Sequence, residues 1–64
     1  MTPNKTLQQR EKELRSLIAT PAGRKELQEL ESRYQLASGK PRPRRTSIIT
    51  YILVHEREQG LISS

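Results

Sequence analysis

The sequence predicts a small all-α domain of three helices, and three observations support this fold class. The chain has 64 residues, which is enough for one domain at most. Helix-favouring residues dominate its first half, and all seven acidic residues are glutamate, a better helix former than aspartate. Three segments, at about residues 3–19, 21–38 and 47–59, each combine a helix-start signal with apolar residues at helical spacing.

The first helix is predicted to begin at Thr2-Pro3, because a hydroxyl N-cap followed by proline is a typical helix start. Its apolar residues follow helical spacing along one face, namely Leu7, Leu14, Leu17 and Ile18. Arg10 or Glu11 occupies the intervening position of that face. The apolar face is therefore thin near its start, and we expect the first residues to fray.

The second helix is predicted to begin at Pro21, since Thr20-Pro21 repeats the same start signal. Leu27, Leu30 and Tyr34 follow at steps typical of a helix–helix contact. Gly39 stands where a C-terminal cap with positive φ belongs, so the helix should end near residue 38.

A basic, proline-rich linker is predicted at residues 39–46. Pro41 and Pro43 restrict the residues before them to extended conformations, so this segment should be short and stiff. The linker carries four basic residues and no acidic residue, so most of the net charge of +5 lies within it.

The segment TSIITYILVHE, residues 46–56, leaves two alternatives open. Its β-branched residues favour a strand that is apolar on both faces, but no partner strand is evident elsewhere in the chain. As a helix, it gathers four apolar residues on one arc, namely Ile48, Ile49, Ile52 and Leu53. Thr46 or Ser47 supplies an N-cap, and Gly60 supplies a C-cap, so we predict a helix.

Leu61 is expected to pack back on the last turn of this third helix, as the residue after a C-terminal glycine often does. The third helix is apolar on nearly all sides, so it should form the centre of the core. Two thinner helices leave its cover incomplete, and a chain this short buries only about 60% of its unfolded surface. A helical homodimer is therefore an open alternative to a monomer.

Several functional classes are not expected. The chain has no Cys and one His, so we expect no disulfide, no metal site and no cofactor. His55 has no nucleophile motif beside it, and enzymatic activity is not expected. No apolar run approaches the ~18 residues that span a membrane, and no signal-peptide segment is evident, so the sequence predicts a cytoplasmic protein.

Two functional hypotheses remain from the sequence. The first is a protein-interaction or self-associating module, whose core or interface residues would be Leu27, Leu30, Tyr34, Ile48 and Ile52. The second is a nucleic-acid-binding module that contacts phosphates through four linker residues, namely Lys40, Arg42, Arg44 and Arg45. Cations before a helix N-terminus are locally unfavourable, which suggests that they serve an anion.

Overall fold

A computed structural model of the chain describes residues 5–63 and confirms the all-α class. Three helices form the domain, and their bounds are α1 Leu7–Ile18, α2 Pro21–Ser38 and α3 Ile48–Glu58. Two short strands, β1 Lys5–Thr6 and β2 Ile62–Ser63, pair in parallel with Lys5 opposite Ile62 and Thr6 opposite Ser63. This pairing joins the two ends of the described chain, and the sequence did not predict it.

The start of α1 corrects the sequence prediction. Residues 2 and 3 lie outside the described residues, but Lys5 and Thr6 are extended, so the helix begins at Leu7. Thr6 is the N-cap, because its hydroxyl accepts from the Gln9 amide at 3.2 Å while the Gln9 side chain accepts from the Thr6 amide at 3.1 Å. This reciprocal capping box, together with strand pairing, fixes the start later than the Thr-Pro signal suggested.

The connection between α1 and α2 is short because Thr20 interrupts the helix and starts the next one. Its hydroxyl accepts from the Gly23 amide at 3.0 Å, as the Thr-Pro signal predicted. Gly23 is buried, and a Cβ at this position would lie 2.0 Å from the Leu17 carbonyl oxygen. The lack of a side chain therefore allows the two helices to approach closely at their junction.

The third element is a helix, which settles the alternative between strand and helix. Ser47 is the N-cap and accepts from the Thr50 amide at 3.2 Å. At the other end, the Gly60 and Leu61 amides donate to the Arg57 and Glu56 carbonyl oxygens, at 3.1 and 2.8 Å. These two bonds form the Schellman motif that a glycine with φ of 74° permits.

Leu61, which the sequence placed against the last turn of α3, is largely exposed. Its side chain is 55% exposed, whereas Ile62 is only 6% exposed. Ile62, which pairs with Lys5 in the two-stranded sheet, belongs to the buried core.

The core lies where the three helices and β2 meet. It consists of five buried apolar residues, namely Leu14, Leu27, Ile52, Leu53 and Ile62. Leu30, Tyr34 and Ile48 are partly buried and pack against this cluster, so all five residues that the sequence assigned to the core or an interface contribute to the core. Within residues 5–63, none of the helices combines the length and the apolar character needed to cross a membrane.

Candidate interaction site

The linker between α2 and α3 is held against the helices by Arg42. Its Nε donates to the Glu31 carboxylate of α2, and its Nη1 donates to the Thr46 carbonyl oxygen at 2.6 Å. The Arg42 side chain is 34% exposed and that of Glu31 is 19% exposed, so this contact is largely shielded from solvent. One guanidinium therefore connects the middle of the linker both to α2 and to the residue before the N-cap of α3.

Tyr51 provides a second attachment for the linker. Its hydroxyl donates to the Lys40 carbonyl oxygen at 3.3 Å, and the Lys40 amide donates to the Ser38 hydroxyl at 3.3 Å. Pro41 and Pro43 also restrict the backbone. The linker is therefore held in one conformation near both of its ends.

A cleft of about 410 Å³ lies between this fixed linker and the outer side of α3. Pro41 and Pro43 line it from the linker, and Tyr51, Val54 and Glu58 line it from α3. Val54 is 48% exposed, although it lies on the most apolar helix of the chain. Clefts of about 360–550 Å³ also lie elsewhere on the surface, and this one differs in that two prolines and the half-exposed Val54 line it.

The four basic residues that the sequence singled out do not share one environment. Lys40, Arg44 and Arg45 are exposed and form no ion pair within the described part of the chain. Arg42 instead pairs with Glu31 and turns toward the protein. Three cations are thus available to a ligand, while the fourth holds the backbone that carries them.

Positive charge predominates among the residues that lie outside the ion pairs. Five ion pairs among the described residues involve four acidic side chains, namely Glu11, Glu13, Glu31 and Glu56. Of the seven acidic residues in the sequence, only Glu26, Glu29 and Glu58 are left outside these pairs, against eight of the twelve basic residues. The surface available to a partner is therefore predominantly cationic.

A buried carboxylate on α3, Glu56, was not singled out from the sequence. Glu56 is 3% exposed, and Arg10 of α1 donates to both of its oxygens, at 2.8 and 2.9 Å. The Tyr34 hydroxyl of α2 donates to Oε2 at 2.6 Å. Arg10 also donates to Glu13, at 3.1 Å, and Lys5 pairs with the same carboxylate.

The charges of this cluster alter the pKa values of its members. Hydrogen bonds from Lys5 and then Arg10 hold the pKa of Glu13 below its usual value. The hydrogen bond to Glu56 raises the pKa of Arg10 above its already high value. Burial, followed by the hydrogen bond to Glu56, raises the pKa of Tyr34 to about 12. The phenol therefore stays protonated and keeps donating to Glu56 at neutral pH.

His55 lies beside this cluster. Its ring stacks on Tyr34, with a centroid distance of 4.2 Å and an interplanar angle of 18°. It also lines the cleft between the linker and α3. Among the described residues, no three His, Cys, Asp or Glu side chains are grouped in a way that could hold a metal ion.

One sequence feature pointed to the Glu56 cluster. Arg10 occupies an apolar position of the α1 face, so its guanidinium is directed toward the other helices and needs an acidic partner there. The identity of that partner could not be read from the sequence, because Glu56 lies 46 residues away.

Comparisons with models of known protein families, with curated proteins and with solved structures gave no significant match.

Proposed function

We propose that the chain is a non-enzymatic interaction module whose cleft between the linker and α3 binds a segment of another protein. The observation that carries this proposal is the cleft itself, which combines a fixed linker with the half-exposed Val54. A preformed concave surface loses little conformational entropy on binding, which favours recognition.

A selection of short random peptides tests this proposal. We expect peptides that bind the wild-type protein and that lose binding to a Val54→Asn variant, which makes the cleft polar without changing its charge. The matched control is Ile18→Asn, since Ile18 is 44% exposed and lies on α1 outside this cleft. The proposal would be contradicted if the selected peptides bound both variants as tightly as they bind the wild type.

Self-association is a related prediction that the sequence raised, and it needs its own test. Light scattering over a range of micromolar concentrations would show a mass that rises with concentration if the chain forms a dimer. A constant monomer mass would contradict it.

Binding of nucleic acid is a second candidate function, favoured by the exposure of Lys40, Arg44 and Arg45 on a fixed backbone. Three neutralised phosphates give a log–log salt slope of about −2.7 on duplex DNA, whereas a contribution from Arg42 would make it about −3.6. Anisotropy titrations at two salt concentrations measure this slope.

A charge-matched pair of variants makes that titration specific. Arg44→Ala/Arg45→Ala should abolish DNA binding. Lys12→Ala/Lys25→Ala removes the same net charge from exposed, unpaired positions on α1 and α2, and it should leave most of the DNA binding intact. Equal losses in both double variants would indicate attraction by net charge alone and would contradict a site at the linker.

A further inference from the structure

We propose that the occupant of the cleft is an acidic peptide segment that carries one large apolar side chain. This inference rests on the proposed function, because it names the chemistry of the partner that the same cleft would bind. It follows from two independent properties of the cleft, which are the apolar character of its walls and the distribution of charge around it.

The apolar walls favour a side chain over a phosphate. Pro41, Pro43 and Val54 present carbon atoms to the cleft, and the Tyr51 hydroxyl is engaged by the Lys40 carbonyl, so its ring is the part that remains for contact. A buried apolar anchor in such a setting is the usual source of affinity in a peptide–protein contact. The rest of the wall is polar, so the apolar side chain of the peptide should lie against these residues.

The charges around the cleft favour an acidic segment and give it an orientation. Lys40, Pro43 and Thr46 line the cleft. Arg44 and Arg45 are not lining residues, but they lie in the chain between Pro43 and Thr46. Glu58 is an acidic lining residue, and it lies at the C-terminal end of α3. Acidic groups of the peptide should therefore lie toward the linker, and a neutral or basic group should lie beside Glu58.

The position of Glu58 also argues against a polyanion as the occupant. A nucleic-acid strand that followed the cleft from Arg44 and Arg45 would bring phosphates next to this carboxylate, which forms no ion pair within residues 5–63. A peptide can change its charge along its length, whereas a phosphate backbone cannot. Duplex DNA is therefore an alternative outcome of the test rather than the expected ligand.

The test uses the full chain and a displayed library of short random peptides. Peptides that bind the wild type are selected, and those that also bind Val54→Asn are removed by counter-selection. We expect the enriched peptides to combine several Asp or Glu residues with one large apolar residue. Their affinity should fall roughly tenfold or more on Val54→Asn. It should fall about fivefold on Arg44→Ala/Arg45→Ala at low salt, and less at high salt.

Two controls separate these effects from loss of folding or of net charge. Ile18→Asn should bind the selected peptides like the wild type, and Lys12→Ala/Lys25→Ala should retain most of the affinity. Circular dichroism of each variant checks that the helices are intact. If Val54→Asn does not fold, Val54→Ala and a peptide whose apolar residue is replaced by serine provide the same comparison.

The outcomes distinguish this inference from the proposed function. Enriched peptides that need Val54 but lack acidic residues would overturn the inference and leave the proposed function standing. The absence of any peptide that distinguishes the wild type from Val54→Asn would overturn both. Binding of a short DNA duplex that requires Arg44 and Arg45, without any peptide binding, would overturn both in favour of the nucleic-acid candidate.

Discussion

Glu56 connects all three helices through one buried carboxylate. Glu56 lies on α3. It accepts two hydrogen bonds from Arg10 of α1 and a third from Tyr34 of α2. A buried charge is costly unless it is paired and hydrogen-bonded, and these three donors supply that compensation. The cluster therefore links one residue from each helix beside the apolar core.

Glu56→Gln tests how much this cluster contributes to the free energy of unfolding. The change replaces the buried charged partner of Arg10 with a neutral amide and leaves Glu13 as its remaining acidic partner, although the Arg10 side chain is only 22% exposed. We expect a loss of about 2–4 kcal/mol in the free energy of unfolding, measured by urea denaturation. The control is Glu58→Gln, which changes an exposed, unpaired glutamate on the same helix and should cost far less. Equal effects of the two substitutions would contradict the role of Glu56.

The pKa of Tyr34 gives a second test at this scale. Its folded value of about 12 exceeds the usual value of 10.0, so the folded state holds the phenolic proton more tightly than the unfolded state does. The stabilising contribution is complete below pH 10 and is lost as the pH rises from 10 through 12. A spectrophotometric titration of Tyr51→Phe, which leaves Tyr34 as the single tyrosine, measures this pKa.

The comparison of unfolding with Tyr34→Phe provides the control for that titration. The difference in stability between the wild type and Tyr34→Phe should shrink between pH 10 and pH 12, because phenylalanine has no proton to lose. A Tyr34 pKa near 10 and a pH-independent difference would both argue against the buried hydrogen bond to Glu56.

At the scale of elements, local signals predicted the helices well and long-range contacts escaped them. Thr20-Pro21, Gly39 and Gly60 mark helix ends through contacts within a few residues, and α2 has the predicted bounds. The start of α1 was predicted too early, because the capping box of Thr6 and Gln9 is a local signal that the Thr2-Pro3 interpretation passed over, and because Lys5 pairs with the distant Ile62. For the same reason, the sequence indicated the basic linker but not the inward role of Arg42, whose partner Glu31 is on another element.

Ile62→Ala tests the contribution of β2 to the fold. Ile62 is 6% exposed and belongs to the buried core, so its truncation should cost about 2–3 kcal/mol, a large share of the stability of a domain this small. Leu61→Ala is the matched neighbour, with a side chain that is 55% exposed, and should cost well under half as much. Thermal unfolding of both variants measures the two losses of stability. A larger loss for Leu61→Ala than for Ile62→Ala would contradict the placement of Ile62 in the core.

At the scale of the whole molecule, the surface is cationic because twelve basic residues face seven acidic ones, and the ion pairs engage four of each. Glu31 and Glu56 form largely shielded contacts between elements, whereas the unpaired bases remain outside. The linker combines both roles, since Arg42 secures it while Lys40, Arg44 and Arg45 face solvent. The proposed binding cleft depends on this combination, because its linker wall exists only if residues 40–46 keep one conformation.

Backbone ¹⁵N relaxation of residues 40–46 tests this central claim most directly. The two prolines give no amide signal, but Lys40, Arg42, Arg44, Arg45 and Thr46 do. A linker fixed by Arg42 and Tyr51 should have order parameters near those of the helices, about 0.85, and Arg42→Ala should lower them. Order parameters below about 0.6 in the wild type would show a flexible spacer and would contradict a preformed cleft.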